Sequence, residues 1–264
     1  MRFLVVVLLA ALVARFERGR LSSRLGGVQR ALESRWAPLV FGLVFGAIVW
    51  WTWGQVHPYG LLHDEFAYVL QAKLFASGQW TAPAPPMPEF FAQPHVLNDP
   101  LVASKYPPGH SLLLAIGELF GLPALVVAAL SALRGALAFA IARRLTNGAI
   151  ALGTGMLLLH GQSLYFGASF FSETTTGAML LVAWYALLRW RDDGGRGWMA
   201  LVALAVGWCA ITRPFSALLF GMPALVVAAL AALRGALAFA LARRLTNGAI
   251  ALGTGMLLLH GQSL

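Results

Sequence analysis

"PLVFGLVFGAIVWWTW", residues 38–53, carries no charge and closes on Trp50, Trp51 and Trp53. A run of this kind suits a helix crossing a bilayer, where about 20 apolar residues cover the hydrocarbon and tryptophans settle at the headgroup boundary. The whole chain agrees. It has 264 residues, of which 59% are hydrophobic and 11% charged, with a mean hydropathy of +0.74. A water-soluble domain cannot shelter that much apolar surface. The expected fold is therefore all-α: a polytopic transmembrane helical bundle with one long external loop containing short interfacial helices.

The formal charge of +9 invites a nucleic-acid reading, but its distribution excludes one. Arg15, Arg18, Arg20, Arg24, Arg30 and Arg35 precede the first clear span. Arg143 and Arg144 end another, and Arg189, Arg191 and Arg196 separate two more. Arginines at alternate ends of apolar segments follow the positive-inside pattern. The single cysteine, Cys209, excludes an intrachain disulfide and a CxxC metal site.

Working outward from 38–53, further spans are expected at 123–142, 149–165, 174–188, 198–212, 215–242 (bent or broken near Pro223) and 249–264, with a short apolar helix at 111–120. Residues 3–14 are apolar but short. They read as a signal anchor or truncated span, because cleavage would put the basic stretch 15–35 outside. With the arginines cytoplasmic, loop 54–110 lies outside, on the periplasmic or extracellular face of the plasma (inner) membrane.

Residues 219–264 repeat 119–164 with differences only at 122/222, 131/231 and 141/241. Pseudo-symmetric transporters repeat far more weakly. The copy reads as a recent duplication or a mis-joined end, and the stop within an apolar run as the mark of a fragment. The chain thus divides into an N-terminal segment 1–35, a membrane region 36–220 and the repeat 219–264.

Loop 54–110 gathers the chemistry: Asp64, Glu65, Glu89 and Asp99, both lysines, and His57, His63, His95 and His110. In "HDEFAYVLQAKLFASG" (63–78), Asp64 suits an N-cap, Glu65 the positive end of the helix dipole, and Gly78 the C′ position. Phe66, Val69, Leu70 and Leu74 fall on one face, as in an interfacial helix. Adjacent helical residues point about 100° apart, so the two acids can hold separate roles. In "SKYPPGHSLLLA" (104–115), Pro107 and Pro108 stiffen the chain and Gly109 lets it turn, so that Lys105 and His110 flank a rigid turn at the membrane surface. Lys105 suits either an interface anchor or a phosphate partner.

These clusters carry a resemblance. "HDEFAYVLQAKLFASGQW" opening the loop, "KYPPGHSLLLA" closing it, then "ARRL", "SFFSETTTGAMLL" and "ITRPFSALL" make the chain similar, over about residues 36–220, to the GT-C superfamily of membrane glycosyltransferases, of the protein O-mannosyltransferase and aminoarabinose transferase type. Those enzymes are usually longer, with more spans.

The resemblance implies a polyprenyl-phosphate-linked sugar donor and transfer to a protein, lipid or glycan acceptor on the non-cytoplasmic face. It makes Asp64 the general base and Glu65 its support by orientation or hydrogen bonding. Lys105 becomes a partner of the donor phosphate, with Arg213 a second one; His63, Tyr106 and His110 are supporting residues.

Metal use stays open. Some superfamily members take a divalent ion, and Asp64, Glu65 and His63 offer donors. Three adjacent residues chelate poorly on a helix, however, and no HxxxH or DxD spacing occurs. Arg134, near the middle of a span, is costly there, with Glu118 or Glu173 as candidate partners. The rival readings are a transporter or lipid flippase, whose polar sites should lie at the midplane, and an inactive truncated copy.

Overall fold

The computed structural model describes residues 26–56 and 62–232, with Arg244 and Thr246. Segment 3–14, the basic stretch before Gly26, the 249–264 span and most of the second repeat copy lie outside the described residues.

Within them the protein is mostly helical. Helix α1 (Gly26–Glu33) leads into α2 (Ala37–Val56), and the outer loop follows with α3 (His63–Ala76). Then come α4 (Gly109–Glu118), α5 (Pro123–Leu145), α6 (Gly148–Met156), α7 (Gly161–Gly167), α8 (Glu173–Asp193), α9 (Arg196–Ala210) and α10 (Met222–Ala232). Two of these helices are long and apolar enough to cross a membrane, at Ala37–Gln55 and Pro123–Leu145.

Small residues bring those two together. Gly42 and Gly46 on α2 meet Ala128, Ala132 and Ala136 on α5, with no room for a larger side chain. A Cβ on Gly46 would stand 2.7 Å from that of Ala132. This is the small-xxx-small contact that membrane helices use, because packing rather than apolar burial holds them together. Elsewhere on α2, Leu39, Leu43, Val44 and Trp51 are exposed. A second core lies between α8 and α9, where Leu180, Trp184 and Leu187 pack with Val202, Val206 and Cys209.

The arginines assemble at one end. Arg143 donates to the Leu32 and Ser34 carbonyls at the end of α1, and Arg144 Nε donates to Asp192 at 2.7 Å, joining the C-terminal ends of α5 and α8. At 1.5 Å per residue, α8 carries the chain about 30 Å from that end to Glu173.

Several expectations are corrected. The 149–165 span is not one helix: α6 ends at Met156, a 3₁₀ turn occupies Leu157–Leu159, and α7 restarts at Gly161. Glycines at 153, 155 and 161 lower helix propensity along an unbroken apolar run.

Between α3 and α4 the chain forms strands as well as helix, where an all-α fold was expected. It holds a three-stranded antiparallel sheet in the order β1 (Ala82–Pro83), β3 (Leu101–Ser104), β2 (Val96–Leu97). Trp53 leaves the aromatic belt and packs edge-on against Phe170 at 4.4 Å. Near Pro223 the irregularity is a π-helical turn at Ala217–Gly221, as befits a proline that cannot donate to the preceding turn.

Candidate functional site

Helix α3 presents its two acids to different surroundings. Leu62, not Asp64, is its N-cap residue. Glu65, three residues further on, accepts from Leu62 N at 3.1 Å through Oε2, satisfying one of the free amides of the first turn. Its Oε1 accepts from Phe170 N at 2.8 Å. Glu65 is only 3% exposed. Asp64 points away, its side chain 38% exposed.

Two residues from the end of the loop hold Asp64. Its Oδ1 accepts from the Tyr106 hydroxyl and lies 2.9 Å from His95 Nε2. The Lys105 amide donates to the His95 carbonyl at 3.1 Å, and the His95 and Tyr106 rings lie 5.3 Å apart. Burial, and then the neighbouring Asp64 carboxylate, raise the Tyr106 hydroxyl above its ordinary pKa, so it stays a donor. His95 is the functional residue that sequence reasoning missed. Its one signal was membership of the histidine-rich loop, 31 positions from Asp64 with no local pattern linking them.

Beneath this pair lies a polar floor. The Tyr68 ring stacks on Tyr106 at 4.6 Å, and its hydroxyl meets Ser172 Oγ at 2.9 Å. Burial raises that hydroxyl to about 12. His110 is fully buried: Nε2 donates to the Phe170 carbonyl at 2.7 Å, leaving Nδ1 to accept from the Thr175 hydroxyl at 2.8 Å. Burial lowers it to about 4.

The Pro-Pro-Gly turn docks on the turn after α9. Gly109 N donates to Ile211 O at 2.8 Å, and Trp208 Nε1 donates to Gly109 O at 3.1 Å. A side chain at position 109 would collide with Thr212.

The predicted site residues therefore divide. Asp64, Glu65, Tyr106 and His110 belong to one connected cluster, with Phe170 and Ser172 as its links. Arg213 ion-pairs with Glu173, whose other oxygen, Oε2, is buried without a partner. Lys105 and His63 are exposed at the rim.

Arg134 makes no direct ion pair with Glu118 or Glu173, although the Glu173 charge acts on it; its Nη1 is shut off from solvent without a hydrogen-bond partner, and its Nε lies 3.1 Å from where a Cβ on Gly177 would stand. Asp64, Glu65 and His63 do not converge on a metal, since both Glu65 oxygens hold backbone amides. Among the described residues no three potential ligands cluster.

The arrangement offers an accessible carboxylate steadied by a hydroxyl and an imidazole, over a buried polar floor, with cations at its edge. No family model, curated protein or solved structure matches the chain.

Proposed function

We propose that this chain is a multi-pass glycosyltransferase of the GT-C type. It would transfer a sugar from a polyprenyl-phosphate-linked donor to an acceptor hydroxyl at the outer face of the plasma (inner) membrane. One observation carries the reading: four separated motifs, at 63–80, 105–115, 169–181 and 211–219, are joined by hydrogen bonds into one cluster, and the half-exposed Asp64 carboxylate lies at its edge. That cluster sits about 30 Å along α8 from the arginine-rich end, roughly the thickness of a bilayer's hydrocarbon. The exposed apolar face of α2 supports a lipid surround, and segments running alternately between the two ends support more crossings than the two longest helices alone.

In this scheme the acceptor oxygen attacks the anomeric carbon while the bond from that carbon to the phosphate oxygen breaks. Asp64 takes the hydroxyl proton, and the polyprenyl phosphate leaves as an anion that Lys105 neutralises. Tyr106 and His95 hold Asp64 in the accepting orientation. Arg213 would reach the phosphate by exchanging its Glu173 partner.

The test is transfer of radiolabelled sugar from the lipid-linked pool in membranes carrying the wild type or Asp64→Asn. The variant should insert normally and make no glycosidic bond; undiminished transfer overturns the assignment. Movement of labelled lipid across the bilayer without glycoside formation would indicate the flippase reading instead.

A further inference from the structure

A cavity of about 460 Å³ opens at the arginine-rich end, remote from Asp64, between the start of α2 and the ends of α5 and α8. Arg35, Arg143 and Arg144 line it, and no acidic side chain does. Their charges are unequally answered. Arg144 is paired with Asp192, which Arg191 also contacts. Arg143 spends its Nη1 on the neutral carbonyls of Leu32 and Ser34. Arg35 has no ion-pair partner among the described residues, and its guanidinium rests 4.9 Å from the centre of the exposed Trp36 ring. Among the described residues, two positive charges at the mouth therefore have no ion-pair partner.

The remaining wall is apolar. Leu39 and Leu137 line the cavity, and Leu39 begins the exposed stripe that continues along α2 through Leu43. A cationic pocket opening onto an apolar helix face has two parts, one for an anionic head and one for a chain lying beside the helix. Tyr185 also lines the pocket.

We infer that the arginine-rich end carries a specific site for an anionic phospholipid, with its phosphate among Arg35, Arg143 and Arg144 and an acyl chain along the Leu39–Leu43 stripe. Basic pockets between membrane helices recognise acidic headgroups in this way. The site rests on the membrane reading alone and not on glycosyl transfer, so Asp64→Asn leaves it intact. Whether detergent is needed to release the chain from cell membranes tests that reading separately.

The experiment follows the thermal unfolding midpoint of the purified full chain in zwitterionic detergent, with added phosphatidylglycerol, phosphatidylcholine or inorganic phosphate. Phosphatidylglycerol should raise the midpoint at a mole fraction about fivefold lower than phosphatidylcholine does, as expected for one cationic contact. Arg35→Glu and Trp36→Ala, both at exposed positions, should remove that preference while leaving the lipid-free midpoint unchanged. Equal response to the two lipids, reflecting annular contact alone, overturns the inference, as does a preference that survives in both variants. A shift reproduced by inorganic phosphate alone overturns the lipid assignment in favour of a free-anion site.

Discussion

Glu65 and Phe170 are joined across 105 residues by a 2.8 Å hydrogen bond from the Phe170 amide to Glu65 Oε1. The same carboxylate closes the first turn of α3 through Leu62 N. One buried side chain therefore fixes the start of the helix and ties it to the segment before α8. Its neighbour Asp64 points elsewhere, towards Tyr106 and His95.

Replacing Glu65 with alanine strands two amides, one of them buried, and removes a charge-assisted bond worth about 1.5–3 kcal/mol. Glu65→Ala should accordingly lose about 3 kcal/mol of stability, read as a lowered unfolding midpoint in detergent. Asp64→Asn should shift that midpoint little. Equal destabilisation by both substitutions would contradict the division between a structural and a reactive acid.

In the proposed reaction Tyr106 and His95 act only through Asp64, so their loss should be graded. Tyr106→Phe keeps the ring that stacks on Tyr68 but removes the hydroxyl donor. Sugar transfer should fall about tenfold, less than the 10²–10⁴ typical of losing a general base. His95→Gln keeps a donor and should retain more activity than His95→Ala. Equal transfer rates for wild type and His95→Ala would separate His95 from Asp64.

His110 makes folding sensitive to acid. Its pKa is lowered by burial from 6.5 to about 4, so the unfolded chain binds a proton that the folded chain refuses. Its contribution is present in full above pH 6.5 and is lost as pH falls through the interval towards about 4. The loss reaches about 3 kcal/mol at 1.36 kcal/mol per pKa unit. His110→Gln should flatten this part of the stability curve, measured as the unfolding midpoint between pH 4 and 7. An unchanged slope in the variant would mean that other groups carry the acid sensitivity.

The ends of α5 were legible because composition changes sharply there: Pro123 opens it, and Arg143 and Arg144 close it. Gly78 takes the positive φ expected just beyond α3. The break at Leu157–His160 was hidden because apolar residues continue through it, and hydropathy records burial or lipid contact rather than backbone hydrogen bonding. The apolar face expected for α3 holds only in part: Val69 and Leu74 are buried. Glu65, Tyr68, Val69 and Ala72 turn inward while Phe66 is exposed, since the polar side chains find partners inside the protein.

The repeat separates sequence from context most clearly. Leu119–Gly121 forms a turn with Gly121 at φ +68°, whereas the identical Leu219–Gly221 lies within a helical stretch. His95 meets Asp64 through tertiary folding of the loop, which no local pattern encodes.

The contact between α2 and α5 permits a test in which one substitution should have opposite signs at two sites in the same helix. Gly46 and Gly54 both lie in α2, but a Cβ at 46 meets Ala132 Cβ at 2.7 Å and Ala128 O at 3.1 Å, while nothing lies within 4 Å of a Cβ at 54. Alanine is favoured over glycine in helix interiors by up to about 1 kcal/mol, so Gly54→Ala should stabilise slightly. At Gly46 the methyl group forces the helices apart and should cost about 1–3 kcal/mol, as overpacking does elsewhere. The clash is with one methyl in particular. Adding Ala132→Gly to Gly46→Ala should therefore recover part of the loss, a non-additivity expected only of residues in contact. Unfolding midpoints of the two single variants and the double variant measure this directly. If Gly46→Ala is neutral or the pair is strictly additive, α2 and α5 do not pack through these small residues.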